Sequence, residues 1–286
     1  MNSALFGVVA ALAWGVHDFL ARFPARAVGP VPTVFAVTVA GFVFLSLWLL
    51  IDGAELHVVW PEIWLVAASG ICLALATLSL FAALALGPIS IVAPIASSYP
   101  ALAMMIALAQ GARPSAGQWA AIAAVMAGVV IVSRSGGHYE ESSALPRGKL
   151  DTLLALSFAA SVGFALALSS GQAAASHFGD IETVWLARIF GLVTIGAILL
   201  ARPSRPLLSA RWLAMLSLMG GLDVTALGAI VAAGSLAKPE FATVVSSAFG
   251  AVTVVLARLF LKEAIAPAQL GAMVLIFGGV AVLAGL

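Results

Sequence analysis

Charge is scarce in this sequence. The 286 residues include only 13 Lys plus Arg and 12 Asp plus Glu, so 9% of the chain is charged while 63% is hydrophobic. A soluble domain carries about 25% charged and about 45–50% apolar residues, which excludes a water-solvated globular fold and makes lipid the main solvent. Cysteine is rarer still. Cys72 stands alone, which rules out an intrachain disulfide framework and a cysteine-based metal site. No Lys/Arg cluster could follow a phosphate backbone, and the net charge is only +1, so no nucleic-acid partner is expected. Enzyme signatures are missing too: there is no H-E-x-x-H, no G-x-S-x-G, no Gly-rich phosphate loop and no carboxylate pair spaced for metal-assisted chemistry. Neither catalysis nor a bound cofactor or metal is expected. The N-terminus has no basic n-region and no small-residue cleavage site, and reads as a retained first helix.

What the chain has in abundance is long apolar runs, with a mean hydropathy of +1.16. Breaks at charged, Pro and Gly clusters leave segments of about 17 to 25 residues, the length of bilayer-spanning helices. Ten spans are expected, at Ser3 to Ala21, Pro32 to Ile51, Ile63 to Leu86, Ile89 to Gln110 and Gly117 to Ser133, then Asp151 to Ala175, Ile181 to Ala201, Trp212 to Gly234, Glu240 to Leu261 and Pro267 to Leu286. Only Gly87 and Pro88 divide the third from the fourth. One continuous run there would be about twice the hydrocarbon thickness.

The one long polar connection, Arg134 to Leu150, falls near the midpoint and exposes a repeat. Thr33-Val34-Phe35 with Gly41 recurs 150 residues later as Thr183-Val184-Trp185 with Gly191. Pro88 answers to Pro239, and Ala127-Gly128-Val129 to Gly278-Gly279-Val280, each 151 residues on. The expected fold is therefore an all-α membrane protein with ten transmembrane helices in two inverted five-helix repeats: residues 1–135, a polar connecting loop 136–150, and residues 151–286. An odd number of spans per repeat makes the second copy enter from the opposite face. Ten Lys/Arg lie near the connections 1–2, 5–6, 7–8 and 9–10: Arg22, Arg26, Arg134, Arg147, Lys149, Arg202, Arg205, Arg211, Arg258 and Lys262. Only Arg113 and Lys238 lie on the other side. The positive-inside rule places the richer face in the cytoplasm and both termini outside.

Polar side chains at membrane depth are costly unless they face protein or a wet cavity, so they are the functional candidates. Trp14, His17 and Asp18 share one face of the first span and could receive an amphiphilic solute carrying an amine. The plainer alternative pairs Asp18 with Arg22 one turn on. Ser246 and Ser247 belong to a stripe with Thr243, Gly250 and Thr253 in the ninth span, and Ser98 to a stripe with Ser90, Pro94 and Ser97 in the fourth. Such stripes serve as packing seams, and here they could also open on a cavity. Tyr99-Pro100 interrupts the fourth span, since proline removes a backbone donor. Phe249-Gly250 holds the matching place in the second half, and paired interruptions point to a transporter site. Arg188 and Asp223 sit deep in the seventh and eighth spans, where they could pair. Ser157, Ser161 and Phe164 share a face of the sixth span, and Phe164 is the repeat counterpart of Trp14.

These residues resemble the EamA-like branch of the drug/metabolite transporter superfamily over nearly the whole chain. The likeness is carried by Ala13-Trp14-Gly15, by the stretch Ser246 through Gln269 with Leu256-Ala257-Arg258-Leu259-Phe260-Leu261-Lys262-Glu263, and by Gly271 and Gly278-Gly279. Arg188 looks like the arginine these proteins often carry in the second helix of a half. The chain departs from the family pattern at Ala112, where a glutamate equivalent to Glu263 is usual, and at Thr38, the counterpart of Arg188. The resemblance implies an inner-membrane carrier of small metabolites, often an exporter of amino acids or related compounds, with both termini cytoplasmic. The expected activity is alternating access around a midplane cavity lined by Trp14, His17, Ser98, Tyr99, Ser161, Phe164, Asp223, Ser246 and Ser247, with Asp18 and Arg188 as coupling or structural charges. The expected partners are the bilayer, a small-molecule solute and, as a further candidate, a second copy of the chain. A non-transporting scaffold and a passive channel are the competing readings.

Overall fold

The structure, a computed structural model, describes residues 3–53, 60–109, 113, 115–135, 146–202, 209–234, 246 and 248–285. Among them there is no strand. The helices are α1 (Ser3–Ala27), α2 (Pro30–Asp52), α3 (Ile63–Leu86), α4 (Ile89–Ala96), α5 (Tyr99–Ala109), α6 (Ala116–Ser135), α7 (Arg147–Phe178), α8 (Asp180–Leu200), α9 (Ala210–Gly234), α10 (Phe249–Phe260) and α11 (Pro267–Gly285). Six stretches are long and apolar enough to cross a membrane: Leu5–Ala27, Pro30–Asp52, Trp60–Leu86, Arg147–Phe178, Asp180–Leu200 and Ala210–Ile230. Shorter apolar helices occupy the remaining expected spans. Large apolar side chains such as Leu50, Ile51, Leu259 and Val274 point outward, as lipid contact requires and water contact forbids.

Local chemistry sets the helix ends. Pro30 opens α2, where its missing N–H costs nothing. Gly29 before it has φ 97°, and Gly179 between α7 and α8 has φ 89°, a region open to glycine and strained for other residues. Thr33 and Thr183, each one helical turn on, donate their N–H to these two glycine carbonyls. The same corner is thus built once in each half of the chain.

Two expectations change. The interruption expected at Tyr99-Pro100 in the fourth span falls two residues earlier, because α4 ends at Ala96 and α5 starts at Tyr99, leaving Ser97 and Ser98 as a turn. Proline at 94 and at 100 withholds two backbone donors. The serine hydroxyls of the turn bond back to their own helix: Ser97 donates to the Ala93 carbonyl at 2.7 Å and Ser98 to that of Ile95 at 2.7 Å. The sixth span is longer than Asp151 to Ala175. It begins at Arg147, within the segment read as a polar loop, and runs 32 residues, or about 48 Å at 1.5 Å per residue. Its exposed first turn, Arg147 to Lys149, lies at the polar end of that length.

Packing follows a regular scheme. α3 lies along α7 and α1 along α9; α3 also packs on α8, and α2 on α9. α6 pairs with α11, and there Gly128 abuts Ala272 and Ile276 while Gly279 abuts Ala121 and Val125. Each residue of the first set has its repeat counterpart in the second. Cβ atoms added at Gly128 and Gly279 would fall 2.7 Å from Ile276 Cγ1 and Val125 Cγ2, so only glycine permits this approach.

Candidate functional site

Between α1, α2, α3, α8 and α9 lies a cavity of about 70 Å³. One wall is charged: His17 from α1, Arg188 from α8 and Asp223 from α9. The other, from α2 and α3, is Val37, Thr38, Gly70, Leu73, Ala74 and Thr77. At roughly 30 Å³ per water in the liquid, it has room for about two waters.

Asp223 is the hub of the charged wall. Its Oδ2 accepts from Arg188 Nη2 in an ion pair, and its Oδ1 accepts from Trp14 Nε1 at 3.0 Å. Gly41 makes room for the guanidinium, since a Cβ there would lie 2.6 Å from Arg188 Nη1. His17 Nδ1 lies 2.9 Å from Asp18 Oδ1, and the imidazole stands 5.8 Å from the Phe81 ring. A carboxylate can only accept, so Nδ1 carries the hydrogen of this bond. Two buried polar atoms of this wall have no hydrogen-bond partner: His17 Nε2 and Arg188 Nε. Orphaned buried groups are costly and call for a ligand or water.

A second group of expected site residues lies outside the cavity lining and joins it through the Trp14–Asp223 bond. Trp14 meets Phe249 edge-on at 6.2 Å, Phe249 stacks on Tyr99 at 6.4 Å, and Tyr99 meets Phe164 edge-on at 6.1 Å. Trp14 and Phe164 hold matching positions in the two halves, as do Tyr99 and Phe249, so the two edge-on contacts are equivalent. Ser98 and Ser161 are buried and share a hydroxyl bond of 3.2 Å, tying the α4–α5 turn to α7. Ser157 is buried and donates to its own helix at Leu153. Thr253 donates to the Gly15 carbonyl at 3.1 Å, tying α10 to α1. Ser246 is buried; Ser247 and Thr243 lie outside the described residues.

Arg22, one turn beyond Asp18, forms a buried ion pair with Glu263 of the α10–α11 connection. The Glu263 carboxylate also accepts the N–H of Ile89 at 3.1 Å and of Ser90 at 3.0 Å, capping α4, where a negative charge opposes the helix dipole. Arg258 Nη1 donates to the Glu263 carbonyl at 3.0 Å. Of the ten cations behind the loop-charge reading, Arg22 and Arg258 are thus engaged in structure, as is Arg26, whose Nε donates to the Ala85 carbonyl at 3.0 Å. Sequence reasoning missed the Glu263 cap and the ring of Phe249, although the repeat register that aligns Phe249 with Tyr99 pointed at the latter.

A bundle of apolar helices with ion pairs sealed inside it defines a multi-pass membrane protein. Residues 1–134, a little under half of the chain, match the model of the EamA-like transporter family, which is part of the drug/metabolite transporter superfamily that the sequence motifs resemble. Members of that family are transporters rather than enzymes. A solved crystal structure of a protein with 20% sequence identity aligns over 98% of this chain and 97% of its own, with a TM-score of 0.66. At that identity it shows the fold alone. No curated protein matches.

Proposed function

We propose that the chain is a secondary transporter of small metabolites in the inner membrane, built from ten spans in two inverted five-helix repeats and working by alternating access. One observation carries the reading: His17, Arg188 and Asp223 face a cavity inside an apolar bundle, and two of their atoms have no protein partner. Unpaired polar atoms at membrane depth are tolerated where a solute or water meets them. The repeat is supported by corners, glycine seams and ring contacts that recur in one register in both halves. In this reading residues 1–135 and 151–286 are the two moving units, and the cavity between them is the alternating site. A charged wall facing an apolar one suits amphiphilic compounds such as amino acids, which we propose are exported.

The test is counterflow in proteoliposomes of the full chain, with labelled amino acids as trial solutes. Exchange stimulated by unlabelled solute on the far side supports a carrier. Flux without such stimulation would instead mark a channel, and no flux with any trial solute would leave a scaffold. His17→Ala and Asp223→Asn should each lower the exchange of a transported solute; unchanged exchange in both removes the charged wall from the site.

A further inference from the structure

Among the described residues Lys262, just past the end of α10, is the only non-glycine with a positive φ, at 55°. A Cβ crowds the following carbonyl in that conformation, which is costly and persists only where the surroundings hold it. Here they do: the Glu263 N–H turns back to the Ala257 carbonyl at 3.4 Å, and Arg258 Nη1 grips the Glu263 carbonyl at 3.0 Å. Glu263 is thereby turned off the line of α10 and into the bundle, where it is 4% exposed. Its one carboxylate then serves two elements of the other half of the chain. It pairs with Arg22 near the end of α1, and it accepts the Ile89 and Ser90 N–H groups that open α4, at 3.1 and 3.0 Å. All three of these partners are buried. Arg22 lies five residues beyond His17, about 7.5 Å along the helix at 1.5 Å per residue, so the knot closes the bundle between the cavity and the end rich in Lys and Arg.

We propose that Glu263 is a latch that holds the cation-rich end shut, so that the chain rests closed there and yields first at the opposite end. Both of its contacts cross from one half of the chain to the other. Separating residues 1–135 from 151–286 at this end parts Arg22 from Glu263 and uncaps α4, and charge-assisted hydrogen bonds are lost in the act. Apolar surfaces parting in lipid lose far less, because acyl chains replace the contacts. The opposite end has no copy of the latch. In the repeat register Ala112 holds the place of Glu263 and Gln172 that of Arg22, and neither side chain is charged. Lys262 and Arg258 are positioning residues that aim the carboxylate. The inference rests on the two halves moving as they do in the transporter reading, and it adds which end is locked and by which residue.

The experiment measures spin-label distances at both ends of the full-length chain in liposomes. In a Cys72→Ser background, Ala27→Cys with Ala268→Cys spans the cation-rich end, and Asp52→Cys with Asp180→Cys spans the other; all four positions are exposed. With Glu263 intact, the first pair should show a single narrow distance. Glu263→Gln keeps an acceptor for the α4 N–H groups and loses the charge. It should raise the ratio of open to closed chains at the first pair by roughly tenfold, the effect of one charge-assisted hydrogen bond, while the second pair draws together. Arg22→Gln should act in the same direction, so that if one variant does not fold, the other and the intact chain still decide. A broad first-pair distribution in the intact chain, or unchanged distances in the folded variants, overturns the latch. So does a first pair that moves while the second stays put, which is what local fraying of α4 would give. Counterflow in a chain whose variants show unchanged distances would keep the transporter reading and discard the latch; opposed shifts of the two pairs in a chain without counterflow would do the reverse.

Discussion

Two pairs of residues face the cavity from matching positions in the two halves of the chain and differ in chemistry. Thr38 answers Arg188, and Leu73 answers Asp223, all four lining the same space. Behind them Ala167 and Leu168 of α7 stand where α1 has His17 and Asp18, and Phe164 where α1 has Trp14. The scaffold contacts are alike on both sides: the rings of Trp14 and Phe164 each meet a neighbour edge-on at about the same distance, 6.2 and 6.1 Å. A repeated backbone can therefore hold one polar and one apolar wall, because helix packing is set by small residues and ring shapes and leaves inward side chains free to diverge. A cavity with one charged side orients its guest, which two like walls could not do.

Breaking the charged wall should have the largest effect. Arg188→Ala or Asp223→Ala leaves a lone charge buried and should cost about 3–5 kcal/mol, read as a loss of thermal stability in detergent. The double variant should cost less than the two singles combined. Additive losses would show that the pair does not act as a unit. Glu263→Ala takes the carboxylate away from Arg22 and uncaps α4, with an expected loss in the same range of about 3 kcal/mol.

The seam tests likeness instead of difference. Gly128→Ala and Gly279→Ala each force a methyl into the α6–α11 contact and should cost about 1–3 kcal/mol, by matching amounts. Unequal losses would argue against equivalent environments. Smallest of all, Ser98→Ala or Ser161→Ala removes one interhelical hydroxyl bond, worth about 0.6 kcal/mol on average inside a membrane. A loss several times larger would mean that those hydroxyls do more than join the α4–α5 turn to α7.

Much of the fold was readable in advance because lipid makes strong demands. Spans such as Ile63 to Leu86 coincide with the helix found, since Gly87 and Pro88 end it and an apolar run has no other stable form in a bilayer. The interruption at Tyr99-Pro100 was legible for the same reason, as proline chemistry is local. The start of α7 was not, because Arg147-Gly148-Lys149 is polar, and a helix that outruns the hydrocarbon leaves no hydropathy signal. Within the site, Arg188 and Asp223 were identifiable from their cost in lipid. Their pairing with each other was expected and is found; the contacts of Asp223 with Trp14 across 209 residues and of Arg22 with Glu263 across 241 were not legible.

The sequence alone determined that the chain lives in lipid, roughly where most of its helices lie, and which side chains are too polar to face acyl tails. Composition, local backbone chemistry and the spacing of the internal repeat suffice for that, because each acts over one helix or one residue at a time. Tertiary structure decided how those polar groups are shared out. It placed Ser98 and Ser161 in a closed contact, gave Glu263 to Arg22 and the end of α4, and left His17 Nε2 and Arg188 Nε facing a cavity without partners. The reason is physical: a hydrogen bond or ion pair between distant helices depends on their approach and rotation, which arise from packing the whole bundle.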